Sequence, residues 1–190
     1  LEGIPVSFIA TATIGHDHID TRFCESNGIS WHNAAGCNAW AVFQYIAAAL
    51  LNLSGTEDLP LAGKTLAVIG AGHIGSKVVT LGKTLGMNVL VNDPPRQRKE
   101  GGQNFTSLSH IAEVADIITL HVPLNPDGPD KTFHLIDGGY LSSLKRKPFI
   151  INTSRGEVIC SRSLKEHIID RAIRGCVLDV WEGEPDIDLE

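Results

Sequence analysis

From residue 65 onward the chain alternates short, continuously apolar runs with segments whose large apolar residues recur every three or four positions. Thr65–Ile69, Asn88–Asn92, Ile117–Leu120, Phe149–Asn152 and Cys176–Val180 are runs of the first kind. They lack the alternation of a half-exposed strand, which predicts strands buried on both faces, as in a parallel sheet. Residues 73–86, 108–114 and 161–174 carry the helical spacing between them. Strand–helix–strand repeats of this size need right-handed crossovers and specify an α/β fold with a doubly wound parallel sheet. Upstream, Val6–Ala10 and Ile29–Trp31 predict two more short strands. Asn38 offers an N-cap to a helix carrying Trp40, Phe43, Ile46, Leu50 and Leu53, and Gly55 is expected to stop it.

Composition narrows the function classes. Sixteen Lys and Arg against 22 Asp and Glu give a net charge of −6, and the basic stretches Arg96–Lys99 and Lys145–Lys147 are short. A concentrated basic face for nucleic acid is therefore not expected. The longest apolar stretch, Ala39–Leu53, is interrupted by Gln44 and Asn52, so no membrane span is predicted. Leu1–Pro5 has no basic n-region and reads as the interior of a longer chain. Four scattered cysteines, Cys24, Cys37, Cys160 and Cys176, give neither a disulfide framework nor a zinc pair, and read as reduced thiols of a cytoplasmic protein.

Nineteen residues are glycine, and the most informative of them form one turn. Gly70-Ala71-Gly72-His73-Ile74-Gly75 follows the strand 65–69, opens a helix, and precedes by eighteen residues an acid, Asp93, at the end of the next strand. The Rossmann dinucleotide signature has this form. Its first glycine allows the tight turn, the second lets backbone approach a pyrophosphate, and the third lets helix and strand pack closely. The helix N-terminus would hold the phosphates beside Gly72, His73 and Ile74. Asp93 could accept both ribose hydroxyls and would repel a 2′-phosphate, favouring NAD over NADP. The bland alternative is a tight turn with Asp93 capping the loop behind it. Arg96 could pair with a 2′-phosphate, but an arginine there reads more simply as a solvated surface charge.

Ligands of such sheets lie beyond the carboxyl ends of the strands. Those ends carry His121-Val122-Pro123, Asn152-Thr153-Ser154-Arg155-Gly156, and Asp179 through Pro185. The guanidinium of Arg155 could hold a substrate carboxylate bidentately, or make an ordinary ion pair. Glu184 could tune a catalytic base, whereas Glu182 and Asp186 read as solvated. Asp179 could accept from a nicotinamide amide or cap its turn. Pro123 and Thr153 are counted with the cofactor contacts. His73, His110 and His167 read as surface or packing residues. His121 and His134 fall closer to the cleft, yet a lone histidine there is more often structural. No histidine pair has metal-ligand spacing, so no metal is expected.

These motifs resemble the D-2-hydroxyacid dehydrogenase family. The likeness covers nearly the whole chain and rests on Phe8–Asp20, Ala35–Ala39, the turn Gly70–Gly75, Asn92–Arg96, Gly128–Thr132, Asn152–Gly156 and Leu178–Pro185. Asp-Pro-Pro-Arg, Gly-Pro-x-Lys-Thr and Trp-Glu-Gly-Glu-Pro point to a branch acting on a phosphorylated 2-hydroxy acid in pyridoxal phosphate biosynthesis. An acid such as 3-phosphoglycerate or glycerate is the alternative within the family, and a non-catalytic NAD-binding module the alternative outside it. The resemblance implies catalytic roles for Arg155 and Glu184, substrate contact for Thr13, NAD as cofactor, with Asp93 and Asp179 touching it, and a possible homodimer. It implies that residues 1–36 are the C-terminal remnant of a substrate domain. Residues 37–190 would be the NAD-binding domain without its last strand. The family's catalytic histidine lies in a His-Ile-Ala-Gly-Tyr type segment downstream of the position matching Glu184. These 190 residues contain no such segment, so NAD binding with little turnover is expected.

Overall fold

A computed structural model describes residues 4–16 and 18–187. The chain divides into two compact units, Leu1–Ala41 and Val42–Glu190.

In the smaller unit, β1 (Phe8–Thr11) pairs in parallel with β2 (Ser30–Asn33), Phe8 opposite Ser30. Between them runs α1 (Thr21–Ser26), which the apolar pattern misses. Its signal is Asp20, whose Oδ1 accepts from the Phe23 N–H at 2.9 Å as an N-cap. α2 (Ala39–Thr56) starts in this unit and continues into the larger one. It runs through Gly55 rather than stopping there. A glycine near the last turn costs a helix only about 1 kcal/mol, and the helix ends where Asp58 turns to φ 47°.

The larger unit holds a five-stranded, all-parallel sheet: β3 (Thr65–Ile69), β4 (Asn88–Asn92), β5 (Ile117–Leu120), β6 (Phe149–Asn152) and β7 (Gly175–Leu178), in the order β4-β3-β5-β6-β7. The first four match the predicted strands residue for residue. β7 ends two residues earlier than predicted, which leaves Asp179 just past the ladder, its N–H still bonded to the Asn152 carbonyl at 2.9 Å. The helices between strands are α3 (Gly75–Thr84), α4 (Pro94–Glu100), α5 (Leu108–Val114), α6 (Gly138–Ser143) and α7 (Ser161–Ile169). α7 stops five residues short of its predicted end because Arg171 takes φ 53°.

Both faces of the sheet are covered, as continuously apolar strands require. Leu66, Val68, Ile117, Phe149 and Ile151 pack with Ile46, Leu50 and Leu53 of α2 and Val78 of α3. Their neighbours Ala67, Ile69, Ile118, Leu120 and Ile150 turn to the other side and meet Ile111 of α5, Leu141 of α6 and Leu164 of α7. Each fully buried isoleucine or leucine contributes roughly 1.5–3 kcal/mol, so the two layers fix the sheet tightly. The chain steps outward from β3 to β4 and then crosses back to β5. The order thus reverses beside β3, which makes its carboxyl end the topological switch point.

Candidate functional site at the carboxyl edge of the sheet

One register feature assembles the site. Ile69 pairs with Asn92 on one side and Leu120 on the other, Leu120 with Asn152, and Asn152 with Leu178. All five strands therefore end on a single row. Gly70, Asp93, His121, Thr153 and Asp179 sit one step beyond it. At the usual strand spacing this edge spans about 19 Å, with Asp93 at one end, Asp179 at the other and the glycine turn between.

The turn is built by close backbone contact. Gly70 adopts φ +87°, and a Cβ at Gly75 would fall inside the carbonyl group of Gly70. Gly72 differs: a Cβ there would meet nothing within 4 Å. It lines an open cavity of about 590 Å³ together with Ala71, His73, Ser76, Lys77 and Arg96. Ile74 occupies the N-cap of α3 and gives it no side-chain cap, whereas Asp93, Ser107 and Asp137 cap α4, α5 and α6. The Ser76 and Lys77 N–H groups at the start of α3 are taken by the Gly72 and Ile74 carbonyls at 3.0 and 2.9 Å, so the main-chain donors left to the concavity are those of Gly72, His73 and Ile74, one step earlier in the turn. That arrangement fits a dinucleotide pyrophosphate.

Asp93 plays two parts at once. Its Oδ2 accepts from the Ala71 N–H at 2.8 Å, and its Oδ1 accepts from the Arg96 N–H at 3.0 Å, capping α4. Arg96 is a surface charge, 39% exposed, but a paired one, which its sequence context does not show. Its Nε and Nη2 donate to Glu100 at 2.7 and 2.9 Å, and Nη1 donates to the Ala71 carbonyl at 2.6 Å. The bond with Arg96 holds the Glu100 carboxyl below its usual range.

At the far end, buried Asn152 shapes the turn that presents Arg155. Its Oδ1 accepts from the Ser154 N–H at 3.0 Å and Oγ–H at 2.7 Å, while its Nδ2 donates to the Arg155 carbonyl at 2.9 Å. Arg155 is half-buried, and its Nη1 donates to the Ser154 carbonyl at 2.7 Å. Gly156 follows, and a Cβ there would run into the Trp181–Glu182 peptide. That contact brings the Trp181–Pro185 segment against the Arg155 turn. Within the segment, exposed Glu184 accepts from the Trp181 N–H at 2.7 Å.

Glu182 departs from the solvated state its sequence context predicts. It pairs with His134 and accepts from the Ser161 N–H at 2.8 Å, at the start of α7. Burial pushes its carboxyl up, but these hydrogen bonds outweigh it and leave the group below the usual range. Asp186 is exposed, as expected. His121 bonds the hydroxyls of Thr119 at 3.0 Å and Thr153 at 3.4 Å. Burial lowers its pKa to about 4, so it is neutral near pH 7. His73 is exposed, His110 pairs with Glu113, and His167 bonds Ser142 and the Ser163 carbonyl.

Pro123 heads a loop whose fold depends on Thr132. The Thr132 hydroxyl donates to the Pro123 carbonyl and accepts from the Asn125 N–H at 2.7 Å. Arg98 of α4 pairs with Asp130 in the same loop. Reading from strand ends alone passes over Asn152 and Thr132 as supports. Their only sequence signal is that they sit inside the motif segments 152–156 and 128–132. Thr13, in the smaller unit, is exposed; its hydroxyl donates to the Gly15 carbonyl at 2.6 Å and bonds Thr11 at 2.7 Å. Among the described residues no cluster of three His, Cys, Asp or Glu could hold a metal, and no helix is long and apolar enough to cross a membrane.

Comparison with known proteins agrees with this geometry. The chain is 53% identical over all of its 190 residues to the erythronate-4-phosphate dehydrogenase of Bacteroides thetaiotaomicron, of which it covers 55%. It is 44% identical over 189 residues to that of Pseudomonas syringae pv. syringae, of which it covers 50%. The chain thus spans about half the length of the curated relatives it matches. The crystal structure of D-lactate dehydrogenase from Aquifex aeolicus, complexed with NAD and lactic acid, superposes with a TM-score of 0.81 at 31% identity, over 93% of this chain and 58% of that one. The sequence profile of the D-isomer specific 2-hydroxyacid dehydrogenase NAD binding domain matches residues 49–189. The chain belongs to this family of NAD-binding domains.

Proposed function

We propose that the chain is the cofactor-binding part of a cytoplasmic, NAD-dependent enzyme that oxidises 4-phospho-D-erythronate to its 2-oxo acid, a reaction of pyridoxal phosphate biosynthesis. The observation that carries this reading is the single row of strand ends. It sets an uncapped helix start and Asp93 toward one end and the Arg155 turn toward the other. The names of the curated relatives supply the substrate.

Gly72, His73 and Ile74 would carry the pyrophosphate on main-chain N–H groups, in a turn that Gly70 and Gly75 shape, the Gly70 N–H being taken by the Asn92 carbonyl at 2.8 Å; Asp93 would hold the adenosine ribose, and Pro123, Thr153 and Asp179 the nicotinamide half. The bound dinucleotide supplies the hydride acceptor. Arg155 would clamp the substrate carboxylate, and Thr13 is a further substrate-contact candidate. Residues 1–36 then read as part of a substrate domain and 37–190 as the NAD-binding domain. Glu184 would hold an imidazole that takes the hydroxyl proton. Of the nearby histidines, His121 is a weak proton acceptor because burial lowers its pKa to about 4, and His134 is paired with Glu182 rather than Glu184. General acid–base catalysis is worth about 10²–10⁴-fold, so these 190 residues bind cofactor and turn over little. The apolar surface of α2, with Trp40 and Leu51 both exposed on one side, supports a homodimer.

The experiment is a substrate panel. A longer form of the protein that includes the histidine segment should reduce NAD with 4-phosphoerythronate in clear preference to 3-phosphoglycerate and glycerate. The 190-residue chain should bind NADH and stay nearly inactive. Preference for another acid, or full activity in the short chain, would contradict the reading.

A further inference from the structure

Resting on the dinucleotide reading above, we propose that Glu100 is a specificity-determining residue: it fills the guanidinium fork of Arg96 and so denies that fork to a 2′-phosphate.

Arg96 lies where an NADP-binding arginine would be useful. It follows Asp93 by three residues, lines the cavity beside Gly72, and has Ser76 and Lys77 on the same wall. A planar guanidinium matches a phosphate through two parallel N–H donors. In this chain that edge is taken. Nε and Nη2 run to the two carboxylate oxygens of Glu100, and Nη1 is committed to the Ala71 carbonyl, with Ser76 Oγ at 3.5 Å. A 2′-phosphate entering here would have to displace one carboxylate while facing a second, Asp93.

The pair is poorly explained by helix stability. α4 has seven residues and buries none of them. Arg96 and Glu100 remain 39% and 45% exposed, and such pairs add little to a fold. Their orientation also opposes the helix dipole, with the cation in the first turn and the carboxylate at the end. What the pair does accomplish is local: it pins Arg96 across the mouth of the glycine turn and supplies an internal anion where a cofactor phosphate would compete. The cofactor preference is then set twice, by the Asp93 carboxylate against the ribose and by Glu100 on the arginine.

The test is a double-mutant cycle read by binding. Dissociation constants for NADH and NADPH are measured by nicotinamide fluorescence at one fixed ionic strength, for the 190-residue chain and its Glu100→Gln, Arg96→Gln and doubly substituted forms. Releasing a charge-assisted pair should raise the NADPH-to-NADH affinity ratio at least about fivefold in Glu100→Gln. The gain should vanish when Arg96 is glutamine as well. An unchanged ratio in Glu100→Gln would overturn the proposal, as would an equal gain without Arg96, which would reduce the effect to simple loss of negative charge. A parent chain that binds neither dinucleotide would overturn the dinucleotide reading itself, and this one with it.

Discussion

The carboxylate of Asp93 takes the backbone N–H of Ala71 at 2.8 Å across a gap of 22 residues, tying the end of β4 to the glycine turn beyond β3. One acid thereby holds the turn's shape and caps α4, and in the proposed reading it also meets the adenosine ribose.

The two roles of Asp93 separate by substitution. Asp93→Ala should lower unfolding free energy by about 1–2 kcal/mol through loss of the cap and the Ala71 bond, and weaken NADH binding. Asp93→Ser, an effective N-cap, should recover much of the stability and little of the binding. Urea unfolding and an NADH titration on each variant check this; parallel recovery of both would mean that the acid acts only through the fold.

Asn152 is the corresponding support at the other end. Three hydrogen bonds meet on its buried amide, and truncation leaves Ser154 and the Arg155 carbonyl without it. Asn152→Ala should cost about 2–4 kcal/mol, well above the typical surface substitution. Thermal unfolding measures it. A loss below about 0.5 kcal/mol, the range of an ordinary surface change, would show that the turn before Arg155 stands without its asparagine.

His121 makes stability depend on pH. The unfolded imidazole takes up a proton near pH 6.5, the half-buried one in the fold only near pH 4. Between those values the unfolded chain binds more protons, so this residue's contribution falls as pH drops through that window and is flat above it. His121→Gln should flatten the difference in unfolding free energy between pH 7 and pH 5. An NMR titration should find the His121 ring neutral at pH 5. Protonation near pH 6.5 would contradict the burial argument.

How far the sequence foretold this edge depends on what carried the signal. β3 to β6 were legible to the residue because uninterrupted Val, Ile and Leu leave a parallel strand few alternatives. The glycine turn was legible because its spacing sits between a strand and a helix. α4 escaped although Asp93-Pro94-Pro95 is a cap followed by proline in the first turn; the acid was weighed as a ribose ligand or the cap of a loop, and not as the cap of a helix. α6 was hidden by Gly138 and Gly139, weak helix formers made helical by the Asp137 cap and buried Leu141. The partners of Arg96 and Glu182 were missed for one reason. A charged residue in a polar stretch reads as solvated until the fold supplies its partner, and Glu182 finds His134 48 positions away.

The most direct test of the central claim, that the open space beside the glycine turn receives an adenine dinucleotide, uses the one turn position where bulk is structurally harmless. A Cβ at Gly72 meets nothing within 4 Å, so Gly72→Val should unfold within a few degrees of the parent chain. It should nevertheless lose at least about tenfold in NADH affinity by calorimetry, because its methyl groups occupy the phosphate's approach. A folded parent chain that gives no heat with NADH, or a Gly72→Val chain that binds as tightly as the parent, would contradict the account.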